Sequence, residues 1–84
     1  MSNTKKHVEN YKKVLDALDI SGPNDGWKVA RRATDLSLRL TNAQMDYDKM
    51  HGKSRFSAED RENIKEAVEL RRQVYRKVKA LKGA

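Results

Sequence analysis

The spacing of apolar residues along the chain predicts three helices joined by short connectors. From residue 4 to residue 20, apolar side chains recur at steps of three and four, which places them on one helical face. They are Val8, Tyr11, Val14, Leu15 and Leu18. The same periodicity predicts a second helix over about 25–51 and a third over about 58–82. We therefore expect an all-α protein with a single helical domain over residues 1–84.

Turn-forming and capping residues agree with these helix ends. Residues 21–26, SGPNDG, combine a glycine suited to a helix end, a proline that cannot continue a helix, and an Asn-Asp pair that can cap the next one. Gly52 is expected to end the second helix with a left-handed backbone conformation. Ser57 and Asp60 have the spacing of a capping box, with aspartate in the acidic position, which predicts the start of the third helix.

The central helix carries two apolar stripes, although a helix with one solvated face needs only one. The first stripe has an a/d heptad pattern and comprises Val29, Ala33, Leu36, Leu40, Ala43, Tyr47 and Met50. The second stripe lies roughly opposite and comprises Trp27, Thr34, Leu38, Thr41 and Met45. Helix one has only about four turns and cannot cover all of either stripe, so one surface is expected to need a partner.

The short basic connector over residues 53–56 predicts that the long central helix packs antiparallel to the long C-terminal helix. The third helix offers one apolar seam, which leaves the second stripe uncovered. We expect a homodimer whose interface contains Trp27, Leu38 and Met45. The alternative is a monomer in which helices one and three cover the two stripes on opposite sides.

Charge makes a polyanion the first partner to consider, because the 84 residues have a formal net charge of +7. Residues 71–82 contain six Lys and Arg side chains and no acid. We expect nucleic acid, RNA in preference to duplex DNA, to bind through its phosphate backbone with little sequence specificity. The predicted binding residues are Arg31, Arg32, Lys53, Arg55, Arg72, Arg76 and Lys79. The alternative interpretation is a solvated basic face that keeps a small protein in solution.

Arg71 stands at a position where the heptad of the third helix would hold an apolar residue. A buried guanidinium is costly unless it is paired. It could meet Asp35, Asp46 or an acid of a second protomer. We favour a position at the edge of the seam, where only its aliphatic stem is packed.

Other classes of function find no support in the sequence. There is no cysteine, no apolar run long enough to span a membrane and no apolar segment typical of a secretory signal, so we expect a cytoplasmic protein without a membrane partner. His7 and His51 have no further ligand at metal spacing, and we expect no metal and no cofactor. No catalytic constellation is visible, which predicts that the protein is not an enzyme. The central helix is too long for a helix-turn-helix recognition element.

In its size, its basic charge and its three-helix outline, the chain resembles the short, cysteine-free helical proteins that phages encode to inhibit host enzymes or defence systems. Among these it is similar to the T-even phage antitoxins that bind RNA and neutralise an RNase toxin of a type III toxin–antitoxin system. The basic set behind the comparison is Arg71, Arg72, Arg76, Lys77, Lys79 and Lys82. The resemblance implies an RNA-binding antitoxin or inhibitor. The alternatives are a module that inhibits a partner protein through an apolar helix face, and a basic scaffold protein.

Overall fold

Three helices make up the described part of the chain. The structure, a computed structural model, describes the backbone of residues 4–21 and 26–83 and the side chains of residues 4–19 and 34–80. The helices are α1 (Thr4–Ser21), α2 (Gly26–His51) and α3 (Ala58–Gly83), with a 3-10 turn over Lys53–Arg55. These ranges contain no strand, which confirms the predicted all-α class. Each helix end lies within one residue of its predicted position, and the predicted turn and caps at residues 22–25 lie outside the described residues.

The directions of the helices follow from hydrogen bonds between them. Thr4 at the start of α1 bonds to Asp60 at the start of α3, so these two helices begin side by side. His7, also near the start of α1, bonds to Asp48 near the end of α2. α1 therefore runs parallel to α3 and antiparallel to α2, and the Cα atoms occupy a rod of 44 × 17 × 17 Å.

α1 is the helix around which the other two pack. Both long helices make their main contacts with α1, whereas α2 and α3 approach each other only slightly. This differs from the prediction, in which α2 and α3 formed the main pair and α1 was too short to complete the core. α1 supplies half of the buried apolar residues among the described side chains, namely Val8, Tyr11, Val14 and Leu18.

The second stripe of α2, not the first, faces the core. Leu38 and Met45 pack inside the chain against α1 and α3, and Met45 is 0% exposed. The prediction that these two residues lie on an uncovered surface ready for a dimer is therefore wrong. The side chain of Trp27, the third residue of that predicted interface, lies outside the described residues. On the first stripe, Leu40 is 64% exposed and Met50 is 78% exposed.

Polar groups of α1 explain why the second stripe is inside. The Tyr11 hydroxyl donates to Asn42 Oδ1 across 2.6 Å, and His7 Nε2 donates to Asp48 Oδ2 across 2.6 Å. Asn42 and Asp48 flank the second stripe. Turning the first stripe inward would leave the buried Tyr11 and His7 without these acceptors, at about 1–3 kcal/mol for each unsatisfied group. These bonds favour the observed orientation of α2, in which both groups have their acceptors.

The predicted capping box forms at the start of α3. The backbone N–H of Ser57 donates to Asp60 Oδ2, and the backbone N–H of Asp60 donates to Ser57 Oγ, each across 3.1 Å. The other oxygen of Asp60 accepts from the buried Thr4 hydroxyl, which also accepts from Asn63 Nδ2. One carboxylate therefore caps α3 and joins it to α1.

Gly52 ends α2 for a different reason from the predicted one. Its φ of −98° and ψ of −8° are ordinary right-handed values, so no left-handed conformation requires glycine here. A Cβ atom at this position would lie 2.8 Å from the Asp48 carbonyl oxygen and 2.8 Å from the Phe56 ring. Glycine is needed because the chain turns back tightly and places Phe56 against the backbone.

Candidate nucleic-acid interface

The outer side of α3 carries a line of exposed cations. We call it the basic face; its members are Arg61, Lys65, Arg72, Arg76 and Lys79, all exposed. Their spacings of four, seven, four and three residues keep them on one side of a helix. At 1.5 Å per residue, the face extends over about 27 Å. It points away from α1, because Glu66 and Lys77, which pair with α1 residues, project from the other side of α3.

Ion pairs within the chain use some of the α3 cations but leave the end of the basic face open. Lys77 pairs with Asp19, and Arg71 donates to Asp46 across 2.9 Å. Arg72 is only loosely opposed by Glu69, at 3.9 Å. Within the described side chains, no carboxylate pairs with Arg76 or Lys79, the last two members of the basic face. Arg61 and Lys65 likewise form no ion pair among the described side chains, so within that part of the chain Arg72 is the one member of the basic face with a carboxylate opposite it.

A cleft adjoins the other end of the basic face, where α2, the 3-10 turn and α3 meet. Its volume is about 340 Å³, and it is lined by Lys49, Lys53, Phe56, Arg61 and Ile64. The lining is mostly apolar, with three cations around it. Such a cleft suits a ligand with a flat apolar part and a negative charge, because the ring of Phe56 can pack on the former while the cations attract the latter.

The five predicted binding residues whose side chains the structure describes do not form one cluster. Lys53 lines the cleft and lies near Arg61, which is the first member of the basic face and was not among the predicted residues. Arg72, Arg76 and Lys79 lie on the other half of α3, as members of that same face. Arg55 is exposed on the 3-10 turn. The side chains of Arg31 and Arg32 lie outside the described residues.

A hydrogen-bonded network joins the three helices at mid-height. Asn42 accepts from the Tyr11 hydroxyl and donates through Nδ2 to the Tyr75 hydroxyl across 2.9 Å. One turn further along α2, Asp46 accepts from Arg71, whose guanidinium lies 6.0 Å from the centre of the Tyr75 ring. Arg71 is 28% exposed, so it lies at the edge of the seam as predicted and is also paired with Asp46, one of the acids considered for it.

The environment of this network changes the pKa of two of its members. Burial raises the pKa of Tyr11 to about 12, against the opposing influence of the Arg71 charge and hydrogen bond. For Arg71, partial burial lowers the pKa, but the hydrogen bond and charge of Asp46, with the two tyrosines, outweigh burial and raise it. Arg71 therefore stays charged, and it holds α3 against α2 instead of adding to the basic face.

Among the described side chains, four of the five exposed large hydrophobic residues lie on the outer side of α2. Its described members are Leu36, Leu40, Ala43, Tyr47 and Met50, all exposed. These are the a/d positions of the first stripe. The sequence pattern identified the stripe, but the prediction placed it in the core and placed the free surface on the opposite side. The heptad spacing of this stripe is typical of a helix that packs against another helix, so the sequence did indicate that the stripe is suited to a helical partner.

The described residues show neither a metal cluster nor a membrane-spanning helix. No three His, Cys, Asp or Glu side chains among them lie close enough to hold a metal ion; His7 meets Asp48 alone. None of the helices, as far as they are described, is long and apolar enough to cross a membrane. Comparison with protein-family models, curated proteins and solved structures finds no match to this chain.

Proposed function

We propose that this protein binds nucleic acid through its phosphate backbone, with RNA preferred to duplex DNA. The observation that supports the proposal is the basic face, on which five exposed cations line one side of α3. A row of this kind neutralises successive phosphates and releases their counterions, which favours binding at low salt. The arginines add bidentate hydrogen bonds to phosphate oxygens.

The proposed mode of binding reads the backbone and not the base sequence. Lys and Arg side chains on an exposed helix contact phosphates, which carry no sequence information. The cleft beside Phe56 would accept one unpaired base at the end of the row, because stacking on an aromatic ring does not depend on base identity. We therefore expect weak sequence preference and a better fit to single-stranded RNA, whose bases are free to turn outward.

The arrangement of the helices supports RNA over groove-reading of DNA. α1 and α2 run antiparallel along the rod, whereas a helix-turn-helix motif sets a short recognition helix at a steep angle to the helix before it. The resemblance to phage antitoxins suggests a biological form for the activity. In that form, the protein would sequester an RNA or block an enzyme that acts on RNA.

The test is fluorescence anisotropy with a labelled, mixed-sequence single-stranded RNA of about 20 nucleotides, with a DNA duplex of equal length beside it. Four phosphate contacts would give a slope of log affinity against log salt of about −3. Arg72→Glu/Arg76→Glu should weaken binding at least about tenfold and make that slope shallower by about 1.4.

A matched control is Lys6→Glu/Lys13→Glu, which changes the net charge by the same amount on exposed α1 positions. Its affinity should fall less, and its salt slope should stay near the wild-type value. The proposal fails if wild type does not bind RNA at about 50 mM salt, or if the two double variants bind equally well.

The exposed first stripe of α2 favours a second candidate function, a module that binds and inhibits a partner protein. An apolar helix face can dock into a groove through residues one turn apart, here Leu36 and Leu40. In that case Leu40→Glu abolishes inhibition of the partner protein, while Arg72→Glu/Arg76→Glu leaves that inhibition intact. The nucleic-acid proposal predicts instead that Arg72→Glu/Arg76→Glu weakens RNA binding.

A further inference from the structure

We propose that the first stripe of α2 is the interface of an antiparallel homodimer. Its large side chains, Leu36, Leu40, Tyr47 and Met50, are 60–78% exposed. At about 200 Å² for each large side chain, they expose roughly 500 Å² in each chain. That is near the upper limit of what a monomer leaves uncovered. Two copies, with the residues flanking the stripe, reach about the 1,200 Å² at which stable interfaces begin.

The spacing of the stripe matches the requirements of a paired helix. Leu40 and Tyr47 occupy a positions of the heptad, and Leu36, Ala43 and Met50 occupy d positions. In an antiparallel pair, each a position packs against a d position of the partner. One register places Leu40 against the partner's Ala43 and Leu36 against the partner's Tyr47. Each layer then combines a large side chain with a smaller one, so neither layer is overfilled.

The charges beside the stripe select the same register. Arg39 and Asp46 occupy g positions, which face each other across an antiparallel coiled coil. In the register above, Arg39 faces the partner's Asp46, and the two-fold axis repeats the pair. Both residues are exposed in the single chain. Ser37 and Gln44, at e positions, form a neutral polar pair on the other side. A face that complements itself in shape and charge is what a two-fold interface requires.

The proposed dimer does not depend on nucleic-acid binding, and it leaves the basic face uncovered. The stripe belongs to α2, whereas the basic face lies on the outer side of α3. Pairing through α2 would place two basic faces on one particle, which would raise avidity for a single polyanion without new contacts. Asp46 keeps its bond to Arg71, because its second carboxylate oxygen can accept from the partner's Arg39.

The first experiment is sedimentation equilibrium of the full chain over a concentration series up to about 100 μM, where even a dimer with a Kd of about 10 μM forms. Wild type should be dimeric. Leu40→Glu and Tyr47→Glu should raise the dimer dissociation constant about a hundredfold or more, because each buries a carboxylate in an apolar layer. Both positions are exposed in the single chain, so the helical circular dichroism should not change. Ala80→Glu, which adds the same carboxylate at an exposed site on α3, should dimerise like wild type.

The second experiment tests the register by mixing two charge variants. Arg39→Glu and Asp46→Lys each place like charges at both g–g contacts, so each alone should dimerise about tenfold more weakly than wild type. Because Asp46→Lys also removes the bond to Arg71, urea denaturation of each variant in a dilute sample checks that the single chain stays folded. An equimolar mixture should recover dimer, because the glutamate introduced at position 39 of one variant faces the lysine introduced at position 46 of the other. The second contact keeps its native pair. The recovered species should contain both variants by native mass spectrometry.

Three results would overturn the proposal. One is a wild-type chain that stays monomeric throughout the concentration series, which would leave the stripe to a different protein. Another is a dimer that Leu40→Glu and Tyr47→Glu do not weaken. The third is a mixture of Arg39→Glu and Asp46→Lys that is no more dimeric than its components, which would exclude the antiparallel register.

Discussion

The Thr4 hydroxyl at the start of α1 donates a hydrogen bond of 2.9 Å to Asp60, the carboxylate that caps α3. The bond spans 56 residues of sequence and lies in a buried environment. Because both oxygens of Asp60 are used, one toward each helix, the two helix starts are held by a single side chain. A capping residue that ordinarily stabilises only its own helix here also fixes the relative height of two helices.

Asp60→Ala should therefore cost more than the loss of a cap. The cap contributes about 1 kcal/mol, and removing the acceptor of a buried hydroxyl adds about 1–3 kcal/mol. The expected loss in the free energy of unfolding is about 2–4 kcal/mol, measured by urea denaturation. Glu59→Ala removes the same charge from the same first turn of α3 and should cost about 1 kcal/mol at most. Equal losses in the two variants would contradict this account.

Ionisation of Tyr11 should make the protein less stable at high pH. Because burial raises the pKa of Tyr11 from 10.0 to about 12, the folded chain retains a proton that the unfolded chain loses between these values. The stabilisation is complete below pH 10 and is lost as the pH rises toward 12. Its size is about 2–3 kcal/mol. The free energy of unfolding of wild type and Tyr11→Phe is measured by urea denaturation from pH 8 to pH 11.5. Wild type should lose stability relative to the variant as the pH rises.

The control for this prediction is Tyr47→Phe in a dilute sample in which the chain is monomeric, because it deletes a hydroxyl from a ring that is exposed in the single chain. The pH dependence of its stability should follow that of wild type. If the free-energy difference between wild type and Tyr11→Phe is the same at both ends of the pH range, Tyr11 does not supply the pH dependence.

In a dilute sample, truncating a side chain of the second stripe should lower the free energy of unfolding much more than truncating one of the first stripe. Met45→Ala leaves a cavity among buried side chains of all three helices and should lower the free energy of unfolding by about 2–5 kcal/mol. Leu40→Ala should change it by about 0.5 kcal/mol or less when the chain is monomeric, because the side chain is exposed. Urea denaturation at low and high protein concentration separates the two cases. A large loss for Leu40→Ala in the dilute sample would show that the first stripe packs inside the chain.

Local features of the fold could be predicted because they depend on neighbours in sequence. The three helices follow from apolar spacing, and the start of α3 follows from the Ser57–Asp60 spacing, since a capping box forms between residues three apart. The amount of apolar surface on α2 and the row of cations on α3 were also readable from periodicity. For Gly52, the position was predicted correctly but the reason was not, because the close approach of Phe56 is a contact that spacing does not reveal.

The sequence by itself determined that α2 has two apolar stripes; only the tertiary structure decided which of them lies inside. The first stripe has the unbroken heptad pattern, and the prediction matched it to the single apolar seam of α3. The structure buries the second stripe because Asn42 and Asp48 beside it meet Tyr11 and His7 on α1. Hydrophobic burial has no direction and could use either stripe, whereas buried hydrogen-bonding groups need particular partners in particular places. Those partners lie 31 and 41 residues apart in sequence, a separation across which residue spacing carries no information.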